Sequence, residues 1–249
     1  MTSLLKRHPA STAVQQMALF VKERQVATYD GTDQTTDDVC PTIHVYRAEP
    51  FELEILAVAP EINRDAALWA ATILGSMVQP DFITMMADAH TTGTMINPAT
   101  GKQWGPGEMQ AACDTEGACS VGLLDDCLMF HTVWPDGRAR METRVYTVTK
   151  GTGVGGSTIT WRGTAPDSVL DSADTKGNLD GLITDALRQA LQPDPMLNTL
   201  AEAVGIPLED RVYRQAMAAL HHLTKAGFGC LVHTTHPEMH ARVTAQSEE

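Results

Sequence analysis

FELEILAVAPEINRDAALWAATILGSMVQPDFITMMADAH, residues 51–90, sets an apolar β-rich run, a helical stretch and a second apolar run in succession. Phe51–Val58 is rich in strand-forming residues. From Pro60 to about Val78 the apolar positions Ile62, Ala66, Trp69, Ala70, Ile73 and Met77 recur at helical spacing, and Pro60 suits a first turn. Phe82–Ala89 is apolar at alternate and intervening positions alike, as in a strand covered by helices. That order predicts a β-α-β unit whose second strand ends on Asp88-Ala89-His90. In open α/β sheets the carboxyl ends of strands carry the ligand-binding side chains.

Outward from this unit, Thr42–Tyr46 reads as a strand reaching Phe51–Val58 through a tight corner at Arg47–Pro50. Residues 11–25 read as an amphipathic helix, and Thr28–Asp38 as an acidic surface loop. The Gly-rich stretch 91–122 is long and irregular, a pattern typical of binding loops. Cys127–Trp134 and Arg138–Val148 flank Pro135-Asp136-Gly137, a strong hairpin signal. Arg140, Glu142 and Arg144 alternate with Met141, Thr143 and Val145, so one face of that strand is expected in solvent. Ile159–Arg162 adds a short strand, and Ala165–Asn178 reads as a polar linker. Beyond it lie helical patterns at Leu179–Leu191, Met196–Val204 and Leu208–Ala226, the last two closed by glycines. The expectation is an α+β fold: a mixed sheet of five to seven strands with flanking helices over 1–165, and a helical C-terminal region over 175–249.

A chain of 249 residues, 43% hydrophobic, is long enough to bury a substantial core. Its 31 acids against 18 bases give a formal charge of −13, which opposes non-specific binding to nucleic acid. No apolar run is long enough for a bilayer and the N-terminus lacks a secretory h-region, so a cytosolic location is expected. Cysteines 40, 113, 119, 127 and 230 form no CxxC pair, which fits reduced thiols better than a zinc site.

Several motifs invite a chemical reading. Gly151-Thr-Gly-Val-Gly-Gly156 matches the dinucleotide fingerprint, yet strand-like residues follow where a helix must start, so no cofactor is expected from it. Asp88 and His90 are two apart on a strand and share a face. With His131 and Asp125 or Asp126 from the neighbouring hairpin they form a candidate divalent-metal set, against which stands a purely structural, hydrogen-bonded strand end. His221, His222, His233, His236 and His240 lack metalloprotease spacing and, with Pro237 inside the run and the preceding Cys230–Thr235 looking extended, read as a solvated tail. Leu197–Gly229 has the outline of a helix-turn-helix in which Arg211, Arg214 and Lys225 would meet phosphates. Its second helix, however, opens on Leu-Glu-Asp, against phosphate contact.

The order helix, strand, helix, a strand ending Met86-Ala-Asp-Ala-His90, then strand, Asp136-Gly137-Arg138 turn, strand and Tyr146 resembles a group of uncharacterised proteins encoded by actinobacteria and their phages. The resemblance spans about residues 10–150 and implies a phage or mobile-element origin, with no activity attached. Three functions remain as expectations. The first is an accessory protein acting by binding a protein partner or as a homodimer. The second is a divalent-metal hydrolase at Asp88 and His90, and the third a DNA-binding regulator working through the C-terminal helices.

Overall fold

A computed structural model describes residues 39–91, 96–97, 100–103, 108, 111, 125–149, 158–162, 168–171, 182–192 and 203–246. Strands β1 (Thr42–Arg47), β2 (Leu53–Val58) and β3 (Phe82–Thr91) come first, with helix α1 (Arg64–Val78) between the last two. A two-stranded ribbon, β4 (Ile96–Asn97) and β5 (Lys102–Gln103), stands apart. Strands β6 (Asp125–Val133), β7 (Ala139–Thr149), β8 (Thr158–Trp161) and β9 (Ser168–Asp171) follow. The chain continues through α2 (Leu182–Ala190), α3 (Leu208–Lys225), β10 (Gly229–Thr234) and α4 (Pro237–Gln246).

The main sheet has the order β10-β2-β1-β3-β6-β7-β8, and β9 shares the outer side of β7 with β8. Every pair among the described strands is antiparallel, so the expected mixed sheet is corrected. The β-α-β reading holds in a split form: β2 and β3 run parallel, but β1 lies between them and pairs with both. Strand β9 falls within the stretch expected to be linker. Of the helix expected at 11–25 and the loop at 28–38, nothing falls among the described residues.

One face of the sheet carries the main core. Ile43, Val45, Leu53, Ile55, Ala57, Ile83, Met85 and Val133 pack there against residues of α1, α2, α3 and α4, including Leu74, Leu187, Leu223 and Met239. Helix α1 starts later than the periodicity suggests, because Asn63 caps it: its Oδ1 accepts from the backbone of Asp65 and Ala66. The buried stripe is Ala67, Ala70, Ala71, Leu74, Gly75 and Val78, whereas Trp69 and Ile62 are 45% and 47% exposed. Close approach to α2 selects the small residues. A Cβ on Gly75 would lie 2.1 Å from the Ala190 carbonyl oxygen. At its other end α1 lacks a basic residue of its own; Arg47 supplies one, donating through Nη1 to the carbonyls of Val78 and Gln79.

The opposite face is also buried, and it is more polar. Met86, Leu128, Phe130 and Tyr146 form an apolar cluster there beside Ile159 and Trp161. Around it, His44 Nε2 lies 2.9 Å from Glu54 Oε1, and the hydroxyls of Thr84 and Thr132 are 2.9 Å apart. The expectation of a solvent-facing β7 is overturned: Glu142 and Arg144 are buried. Arg140 Nη2 contacts Glu142 Oε1 at 2.8 Å, and Arg144 lies over the Trp161 ring. The ion pair offsets the cost of taking the Glu142 carboxylate out of water, and the Trp161 ring faces the Arg144 guanidinium.

The hairpin β6–β7 turns at Pro135-Asp136-Gly137, as its turn chemistry predicts. Gly137 takes φ +85°, and Asp136 accepts from the Arg138 backbone and from Arg138 Nε. Those bonds hold the Asp136 carboxyl below its usual range. Near the end of the chain, Pro237 opens α4 rather than breaking a helix, and His236 Nδ1 accepts from the Met239 backbone as its cap. His236 stacks on Tyr213 with ring centres 4.6 Å apart, and Met239 is fully buried. The solvated tail read from the histidine run is thereby corrected for this segment. No helix among the described residues is long and apolar enough to cross a membrane.

Candidate functional site

Where β3 ends and β6 begins, beside the N-terminus of α1, a cleft of about 510 Å³ opens. Its walls carry Asp88, Asp126 and Tyr146 from the sheet, Arg64 and Asp65 from the start of α1, Glu61 just before that helix, and Val39. The ladder explains the first three. Asp88 stands opposite Leu128 and Asp126 opposite Tyr146, all on the polar face of the sheet. Asp88 is held on both oxygens, with Tyr146 Oη donating to Oδ1 over 2.9 Å and the Val39 backbone donating to Oδ2. Arg64 Nη2 donates to the Asp88 carbonyl at 3.1 Å.

His131 goes elsewhere. It stands opposite Met85 on β3, three residues from Leu128 on its own strand, and therefore on the helix-covered face, away from Asp88. There its Nε2 and the Thr184 hydroxyl are 2.8 Å apart. Burial, with Arg188 nearby, lowers the imidazole pKa to about 4. The sheet thus separates His131 from Asp88 instead of gathering both about one point. His90 pairs with Asp126 and Thr91 with Asp125 in the β3–β6 ladder, but the side chains of His90 and Asp125 lie outside what is described. Among the described residues, no three His, Cys, Asp or Glu side chains converge as metal ligands.

Of the five cysteines, Cys127 is buried and Cys40 and Cys230 are half-buried, all three as free thiols. Burial raises the pKa of Cys40 and Cys230, away from thiolate chemistry. Cys113 and Cys119 lie outside the described residues, as does the glycine run 151–156; the segment after that run is the strand β8. The first helix of the helix-turn-helix outline is described only at 203–204. Helix α3, its second, opens with exposed Glu209 and Asp210.

A second candidate is a sheet edge that sequence reading recognised as extended but did not pair. Strand β10, Gly229-Cys-Leu-Val-His-Thr234, matches β2 residue for residue over six pairs without a bulge. It ends the strand order, so one side is hydrogen-bonded to β2 and the other has no strand beside it among the described residues. An antiparallel strand paired on one side turns the N–H and C=O groups of alternate residues outward. In its middle Leu231 is 61% exposed. Natural edges are blunted by lysine, proline, charge or bulges; this one carries none of them.

No family model matches the chain, and neither the curated proteins nor the solved structures contain a match to it.

Proposed function

We propose that the protein acts by binding, taking an added β-strand from a protein partner along the outer edge of β10, which has no strand beside it among the described residues. The observation that carries this reading is the combination of a regular, uncharged, bulge-free edge with an exposed leucine at its centre. Strand addition draws affinity from main-chain hydrogen bonds and specificity from alternate side chains. Here Leu231 is the alternate side chain on the outer part of the polar face, next to Leu56 on β2. A catalytic role has less support, since Asp88 is engaged on both oxygens and His131 lies across the sheet from it.

Selection of displayed random peptides against the purified protein tests the reading. Peptides rich in β-branched and aromatic residues are expected to emerge, to shift amide resonances of residues 229–234, and to lose binding to the Leu231→Asp variant. Peptides that bind the variant equally well, or that perturb only the cleft at Asp88, would count against it.

A further inference from the structure

We infer that the strand added to β10 is β10 of a second copy of this chain, an inference that rests on the strand-addition reading. Three features of the edge favour self-pairing. First, every pairing in the sheet is antiparallel, and antiparallel pairing is what a two-fold axis through two identical edge strands produces. Second, the sequence is self-complementary in that arrangement. A two-fold perpendicular to the sheet keeps each face continuous, so residues facing each other across the axis have the same parity. The register centred on Leu231 sets Leu231 against Leu231 of the second copy, Cys230 against Val232, and Gly229 against His233. The most exposed side chain of the strand then gains an apolar cross-strand neighbour, and no bulky pair meets at the ends. Third, the chain carries 31 acids and a charge of −13, yet none of the acids falls in β10. The edge is thus a place where two such chains can meet without apposing carboxylates.

Five paired residues from each copy make a small interface, so the dimer is weak, with a dissociation constant on the order of micromolar. Its response to salt is diagnostic. Uncharged strands join while the two net charges repel, so association tightens as salt screens that repulsion. A contact built on ion pairs would loosen.

The test exploits the axis. A substitution at Leu231 meets itself in the dimer, so Leu231→Lys and Leu231→Asp each oppose like charges, whereas a mixture of the two opposes unlike ones. Sedimentation equilibrium from about 1 to about 500 μM should show wild-type self-association. Each variant alone should associate at least about tenfold more weakly, and an equimolar mixture should regain a heterodimer. Leu231 is solvent-exposed, so both variants should keep the wild-type circular dichroism spectrum. A wild-type protein that stays monomeric throughout, variants that associate as it does, or a mixture that fails to pair would overturn the second-copy assignment. If the wild type is monomeric but selected peptides still bind residues 229–234, the identity of the partner fails alone. If no peptide binds there either, the strand-addition reading fails with it.

Discussion

The Tyr146 hydroxyl donates to Asp88 Oδ1 across 2.9 Å, and the second oxygen of the same carboxylate accepts from the Val39 backbone. One acidic side chain thus ties β7 and the segment before β1 to the end of β3. The residue that invited a metal reading is built into the architecture of the cleft wall.

Tyr146→Phe keeps the ring and its edge contact with Trp161 but withdraws the donor from Asp88. A hydrogen bond to a charged group contributes about 1.5–3 kcal/mol. Urea unfolding of the variant should show a loss at the lower end of that range with an unchanged m-value. An unchanged midpoint would mean that the bond does not help hold β3 to β7.

Stability should fall with acid through His131. Its pKa is about 4 in the folded protein against an ordinary 6.5, so the native imidazole stays neutral while the unfolded chain takes up a proton. The penalty is absent above pH 6.5, grows as pH falls to 4, and reaches about 3 kcal/mol at roughly 1.4 kcal/mol per pH unit. Denaturant titrations at several pH values should trace this slope, and His131→Leu should flatten it. An equal slope in the variant would assign the acid sensitivity to other groups.

Gly75→Ala should be costly although alanine favours helix. The added Cβ would sit 2.1 Å from a backbone oxygen of α2, so α1 and α2 must separate. Overpacking of this kind costs about 1–3 kcal/mol. Thermal denaturation should show a clear drop, while Ser76→Ala one position on stays within about 0.5 kcal/mol of wild type. Equal behaviour of the two variants would contradict the close helix contact.

What could be read in the sequence was what is written locally. Pro135-Asp136-Gly137 announced its hairpin because turn chemistry needs only neighbouring residues, and β-rich runs at 42–46 and 51–58 announced strands. Long-range facts were hidden. The periodicity put Trp69 on the buried stripe of α1 and left Gly75 off it, because the close passage of Ala190 is invisible from residues 60–78. Arg140, Glu142 and Arg144 looked solvent-facing, since alternation does not show that Arg140 pairs with Glu142 or that Arg144 meets Trp161. Asp88 and His90 could be given one face by counting, but the face of His131 depends on the β3–β6 register. Strand β10 was legible as extended, yet its partner β2 lies more than 170 residues earlier, so its place at the sheet edge could not be foreseen.

The central claim is that the outer side of β10 is open in the single chain. Hydrogen exchange at the amides of residues 229–234, measured in protein dilute enough to be monomeric, tests it most directly. The account predicts alternation along the strand. Amides bonded to β2 should exchange slowly and those turned outward should exchange orders of magnitude faster than the amides of β1, becoming protected when protein concentration or a strand-forming peptide is raised. Uniformly slow exchange along β10 in dilute protein would contradict it, because the edge would then be covered from within the chain.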